Sequence, residues 1–129
     1  MAKWLSQEWL DESTRLAAGQ PERPGASARL QYVITDAPGG EDVSYYWIVA
    51  DGHLLENRLG TLEDPEVTLH ESYEDAMAMQ KGELDANAAF MQGKIKVSGD
   101  VAQLMALLPI TMSPEFAAFQ SSVLEITEF

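Results

Sequence analysis

The dipeptide Asp51-Gly52 constrains this chain more than any other feature of its sequence. Both residues tolerate positive φ, so the pair favours a two-residue turn whose twist matches that of the strands on either side. It stands between Val43–Ala50, rich in aromatic and β-branched residues, and His53–Leu59, which closes at Gly60. Two strands joined so tightly pair antiparallel. Upstream, Leu30 to Thr35 alternates, with Leu30, Tyr32 and Ile34 on one face, and Ala37-Pro38-Gly39-Gly40 turns the chain towards Val43. The three runs predict an antiparallel meander, with Val43–Ala50 as a strand buried on both faces. A short fourth strand, Val67-Thr68-Leu69, follows Pro65.

On either side of this block the period changes. Residues 4 to about 18 read as a helix, with Leu5, Trp9 and Leu16 near one face. Gly19 stops it, Pro21 and Pro24 prevent its continuation, and Gln20–Ser27 is a linker. Beyond the fourth strand, Ser72 caps a helix with Glu74 and Asp75 in its first turn, and Gly82 ends it. Asp85 caps a short helix through Met91, and Gly93 closes that. Lys94 to Ser98 alternates as a fifth strand, with Ile95 and Val97 inward. Val101 to Leu108 is apolar on nearly every side, a helix that must be covered or must border something greasy. Ser113-Pro114-Glu115 opens the last helix with a cap, a proline at its first position and an early acid. The order defines an α+β fold, a mostly antiparallel sheet covered on one face by helices. At 129 residues one domain is expected, with residues 1–28 as helix and linker, 29–108 as core and 109–129 as C-terminal helix.

Charge narrows the partners. The formal net charge is −13, from 21 acidic and 8 basic residues, so phosphate backbones and anionic bilayers repel the chain. Nucleic acid and docking on a membrane through a basic patch are discounted on these grounds, and no stable membrane insertion is expected. The uncharged run from Val101 to Pro114 is too short to span a bilayer, and Pro109 interrupts it. No apolar signal core follows Met1, and Ile126-Thr127-Glu128-Phe129 matches no import address, so a cytoplasmic location is expected.

Signatures of catalysis are missing. There is no cysteine, hence no thiol chemistry and no cysteine-bound metal. His53 and His70 lack a second histidine at ligand spacing. Gly25-Ala26-Ser27-Ala28-Arg29 lacks the second glycine of a nucleophile elbow and precedes a strand. The acidic pairs Glu41-Asp42, Glu63-Asp64 and Glu74-Asp75 fall in turns or at helix starts, where acids serve capping. What accumulates instead is soft grease. Met77, Met79, Met91, Met105 and Met112 join Phe90, Phe116 and Phe119 in the helical second half, more than one sheet face can cover.

The stretch Lys81-Gly82-Glu83-Leu84-Asp85, then Ala88 through Phe90-Met91-Gln92-Gly93-Lys94-Ile95-Lys96-Val97-Ser98-Gly99-Asp100, resembles the central signature of the sterol carrier protein 2 (SCP-2) family. The Asp51-Gly52 hairpin, Pro65-Glu66-Val67-Thr68-Leu69 and the Ser72-capped helix fall in that family's order and spacing. The resemblance covers about residues 29 to 108. It implies a five-stranded mixed sheet with a hydrophobic tunnel between sheet and helices. It also implies a ligand that is a sterol, fatty acid, fatty acyl-CoA or phospholipid, with no catalytic residue and no cofactor. Family members of the peroxisome usually end in an import tripeptide, which this chain lacks, favouring a bacterial-type cytoplasmic protein.

A non-enzymatic lipid carrier, monomer or homodimer, is therefore expected. Its candidate lining is Tyr32, Ile34 and Trp47 from the sheet, Phe90 and Met91 from the motif, Leu104, Met105 and Leu108 from the apolar helix, and Ile110, Met112 and Phe116 from the C-terminal segment. Phe116, Phe119 and Val123 form a stripe at i, i+3 and i+7, fitting a lid hinged at 109–112. Two alternatives stand beside it. One is an interaction or dimerisation module that uses the same apolar surface with the tunnel closed. The other is an enzyme using a Glu or Asp with a Tyr in the cavity.

Overall fold

In the computed structural model, residues 2–105, 107 and 113–129 are described, with the backbone alone at 86 and 87. The elements run β1 (Ala2–Lys3), α1 (Gln7–Ala17), β2 (Ala28–Thr35), β3 (Val43–Ala50), β4 (His53–Leu59), β5 (Val67–Ser72), α2 (Tyr73–Gln80), α3 (Ala86–Met91), β6 (Ile95–Gly99), α4 (Val101–Met105), α5 (Pro114–Ile126) and β7 (Thr127–Glu128). Five strands form one mixed sheet in the order β4-β3-β2-β5-β6. The meander β2-β3-β4 is antiparallel as the turns require, β5 returns parallel to β2, and β6 closes the far edge antiparallel to β5. Asp51 and Gly52 adopt φ of 50° and 84°, the two positive values that a type I′ hairpin needs.

Caps set most helix boundaries. The hydroxyls of Ser72 and Ser113 accept from the backbone N–H of Asp75 and Phe116, and the Asp85 carboxylate accepts from that of Ala88. At the N-terminus the helix starts at Gln7 rather than at residue 4. There Ser6 is the cap, accepting from Trp9, and Leu5 holds a φ of 65° that no helix tolerates. The residues ahead of it pair with the other end of the chain, β1 lying parallel to β7. The Trp9 indole donates to the Thr127 hydroxyl at 2.8 Å. A two-residue strand carries too few residues for alternation to show, so sequence patterning does not reach it.

Pairing places Leu30, Tyr32 and Ile34 on one sheet face with Tyr45, Trp47 and Val49 of β3, and with Val67, Leu69 and Glu71 of β5. The helices cover this face alone. Trp9 and Leu10 of α1, Ala76 of α2 and Val123 of α5 close over Ile34 and Tyr45. Towards the other end, Ala26, Ala28, Leu30, Val49, Val67, Leu69 and Leu107 form a second cluster. Only Tyr45 and Val49 of β3 are buried, whereas Ser44, Tyr46 and Ile48 on the uncovered face are partly exposed. The expectation that β3 is buried on both faces therefore fails, because among the described residues no helix lies over its outer side.

Two glycines are fixed by close approach. A Cβ on Gly99, which has φ 98°, would lie 2.4 Å from the Glu66 carbonyl oxygen, because β6 turns directly against β5 there. A Cβ on Gly52 would meet the Arg23 backbone at 2.9 Å. The linker wraps this hairpin tip. Arg23 N–H donates to the Asp51 carbonyl at 2.8 Å, and Gly52 N–H to the Ala26 carbonyl at 2.9 Å.

Candidate functional site

Tyr32 and Trp47 stand side by side on the covered sheet face and pack against both apolar clusters. Tyr32 stacks on Tyr45 with ring centroids 4.8 Å apart and meets Trp47 at 5.1 Å in a tilted pair. Next to Trp47 the packing leaves a cavity of about 50 Å³. The sheet supplies Trp47, Val49, Gly52 and Leu54; the end of α1 and its linker supply Ala17 and Gln20; Leu107, Phe116 and Phe119 close the top. Phe116 and Phe119 are one helical turn apart on α5 and touch at 5.6 Å between centroids, so the stripe read from the sequence becomes the roof.

Among the described residues, no side chain in this wall is charged. It can therefore receive apolar matter without stranding an ion in a low-dielectric space. Its volume is that of one or two waters, against roughly 300–1,000 Å³ for sites that enclose drug-sized ligands. A long ligand enters only if the roof moves outward.

Two residues that border this cavity each carry a buried polar atom. Trp47 Nε1 and Gln20 Oε1 are buried and have no hydrogen-bond partner among the described residues. Gln20 Nε2 donates to the Glu115 carbonyl at 3.0 Å, tying the linker to the first turn of α5. Asn57 Oδ1, on the strand beside Trp47, is also unpartnered, but Asn57 does not border the cavity.

At the other end of the covered face stands Glu71, beside Ile34 on β2 and Ile95 on β6. Burial, and then the Asp75 carboxylate, push its pKa from the ordinary 4.5 up to about 7. The phenols of Tyr32 and Tyr45 are pushed up as well, first by burial; Tyr32 then feels Glu71, and Tyr45 feels Tyr32 before Glu71. Among the described residues, no group of three or more His, Cys, Asp or Glu could hold a metal ion.

The candidates named from sequence divide in four. Trp47 and Phe116 border the cavity. Tyr32, Ile34 and Leu104 belong to the packed clusters around it, and Ile34 is fully buried. Phe90, Met91 and Met105 do not border it and are 48%, 85% and 56% exposed. Phe90 and Met91 lie on α3, which packs against the edge strand β6, and Met105 lies at the end of α4, whose Leu104 is the residue packed on the sheet cluster. Leu108, Ile110 and Met112 lie outside the described residues.

Sequence reasoning missed Ala17, Gln20, Val49, Gly52, Leu54, Leu107 and Phe119 as wall residues. Val49 was within reach, two positions from Trp47 on the same strand face, and Phe119 was already on the α5 stripe. Nothing local marks Ala17 and Gln20, since the way the end of α1 crosses the sheet is a tertiary fact.

A mixed five-stranded sheet with helices on one face and an apolar space between them defines an α+β fold of the sterol-carrier type. The SCP-2 sterol transfer family matches residues 10–111, and the chain belongs to that family. Sterol carrier protein 2 of Oryctolagus cuniculus is 29% identical over 87 residues, 64% of this chain and 15% of the relative. The match thus spans a small fraction of that relative's length. A crystal structure of sterol carrier protein 2 superposes with a TM-score of 0.71, covering 97% of this chain and 99% of that one at 13% identity, a likeness of fold. Sterol carrier protein 2 like 2 from Aedes aegypti, 28% identical, gives 0.55 over 78% of this chain and 93% of that one.

Proposed function

We propose that residues 1–129 act as one non-enzymatic carrier of an elongated apolar ligand: a sterol, fatty acid, fatty acyl-CoA or phospholipid. The observation that carries this is the uncharged cavity between the sheet and α5, in a chain of the SCP-2 family. In the loaded form the cavity widens into a tunnel. Trp47 and Phe116 border it, and Tyr32 and Leu104 lie along it. Transfer of each methylene from water contributes about 0.8 kcal/mol, so a chain of ten supplies about 8 kcal/mol, enough for micromolar binding. A wall with few polar atoms distinguishes ligand shapes poorly, so the carrier is promiscuous.

We further propose that α5 is the lid. It carries Phe116 and Phe119 in the roof and is anchored by Val123, 4% exposed, at its far end. The carrier works in the cytoplasm as a monomer or homodimer. Among the described residues no helix is long and apolar enough to cross a membrane.

Native mass spectrometry of the protein as purified, followed by lipid identification, tests the carrier. Co-purifying lipid at near-stoichiometric occupancy, or uptake of added lipid, is the expected result; a chain that takes up none fails it. Truncation after Thr111 tests the lid. The expected product stays folded and exchanges a fluorescent fatty acid faster than the full chain, whereas unfolding or unaltered exchange rates reject the lid.

A further inference from the structure

We propose that the linker between α1 and β2 is a strap that latches α5 shut over the cavity, with the Gln20 amide and the Arg23 guanidinium gripping Glu115 in the first turn of that helix. The inference rests on the reading of the chain as a carrier with α5 as its lid, and it supplies the contacts that set how readily the lid opens.

The two ends of α5 are held differently. At the far end Val123 is buried, the Trp9 indole donates to the Thr127 hydroxyl at 2.8 Å, and β7 pairs with β1. At the near end Pro114, Glu115, Ala117 and Ala118 are exposed, and Phe116 alone among them turns to the cavity. There Gln20 Nε2 donates to the Glu115 carbonyl at 3.0 Å, and the Arg23 guanidinium meets the Glu115 carboxylate at 3.6 Å. Of the two ion pairs among the described residues, this one alone joins distant parts of the chain. The strap itself is fixed to the β3–β4 hairpin tip along its length. Arg23 N–H donates to the Asp51 carbonyl at 2.8 Å, Gly25 N–H to the Asp51 carboxylate at 3.1 Å, and Asp51 N–H to the Ser27 hydroxyl at 3.0 Å. Pro21 and Pro24 stiffen it further. The roof therefore opens by release of Glu115 and a pivot of α5 about its buried far end. Phe116 lies about 10 Å along the helix from Val123, so it leaves the cavity first. Each grip is modest, about two-fold in the opening equilibrium for a partly exposed ion pair and about five-fold for a neutral hydrogen bond. Such a latch keeps the lid shut without locking it, and salt weakens its charged half.

The test is stopped-flow release of cis-parinaric acid from the loaded full chain into phosphatidylcholine vesicles, at ~20 mM and ~500 mM sodium chloride. At the lower salt Arg23→Gln and Glu115→Gln should each speed release about two-fold, and the double variant no more than either alone, because all three remove one pair. Arg23→Gln reports the effect of salt on the lipid itself. Relative to it, the wild type should gain about two-fold in rate between the two salts. Gln20→Met, which keeps the volume and loses the donor, should release about five-fold faster and retain the wild-type salt response.

If the Arg23→Gln and Glu115→Gln effects simply add, if wild type and Arg23→Gln respond alike to salt, or if Gln20→Met releases at the wild-type rate, the strap is wrong while the carrier stands. If truncation after Thr111 rejects the lid, the strap falls with it. If the wild type takes up no parinaric acid, the carrier reading itself fails. Should Gln20→Met not fold, the ion-pair cycle, on side chains 28% and 52% exposed, decides alone.

Discussion

Glu71 stands on the covered face of the sheet, where every neighbouring position in its register is apolar: Ile34 on one side and Ile95 on the other. Its pKa rises from 4.5 to about 7, by burial first and by Asp75 second. The folded state therefore holds a proton there at pH values where the unfolded chain has lost it. Below pH 4.5 the group is protonated in both states and costs nothing. As pH rises towards 7 the unfolded chain gains from ionising and the folded one does not, so stability falls. Above pH 7 the full penalty is in place, up to about 3 kcal/mol from the size of the shift. Glu71→Gln removes this one titration and leaves every other carboxylate untouched. Urea denaturation followed by tryptophan fluorescence, run on both proteins at pH 4.5 and pH 8, isolates it. The stability difference between variant and wild type should move by up to about 3 kcal/mol in favour of the variant across that interval. A difference that stays constant within about 0.5 kcal/mol would show that Glu71 is solvated in the folded state, refuting the desolvation argument.

Three further substitutions probe the packing. Gly99→Ala should cost about 2 kcal/mol or more, read as a lowered urea midpoint, since its Cβ would collide with the Glu66 carbonyl oxygen at a positive φ. Gln31→Leu should cost about 2–3 kcal/mol in the same assay. The Gln31 amide donates to the Tyr45 and Gly60 carbonyls and accepts from Leu62 N–H at 2.7 Å, and all three contacts would be lost. Phe90→Ala should change stability by less than about 1 kcal/mol and leave fatty-acid affinity unaltered, because Phe90 is 48% exposed and does not border the cavity. A loss of about 3–5 kcal/mol would instead mark it as core.

Much of the secondary structure was legible because its causes lie within a few residues of where they act. Asp51-Gly52 takes positive φ at both positions and so commits β3 and β4 to one hairpin. Ser72, Asp85 and Ser113 each satisfy an N–H three residues on, and the helices begin there. Alternation through Leu30, Tyr32 and Ile34 names one face of β2 whatever comes to cover it. The stripe of Phe116, Phe119 and Val123 likewise exists before the helix finds its seat, and two of its members became the cavity roof.

What the sequence could not decide was depth and company. Phe90, Met91 and Met105 are as apolar as any core residue, yet α3 lies against the edge strand and α4 turns Leu104 rather than Met105 onto the sheet, so all three stay exposed. Gln20 reads as an ordinary linker residue, and only the passage of the linker beneath α5 buries its amide beside Trp47. Glu71 follows the strand's own alternation, but its discomfort comes from the neighbours that β2, β6 and α2 supply. Hydrogen bonds and φ preferences act over three or four residues and are written into the chain. Burial is a property of which elements meet, settled by pairing and packing across separations of tens of residues, and only the tertiary structure holds that information.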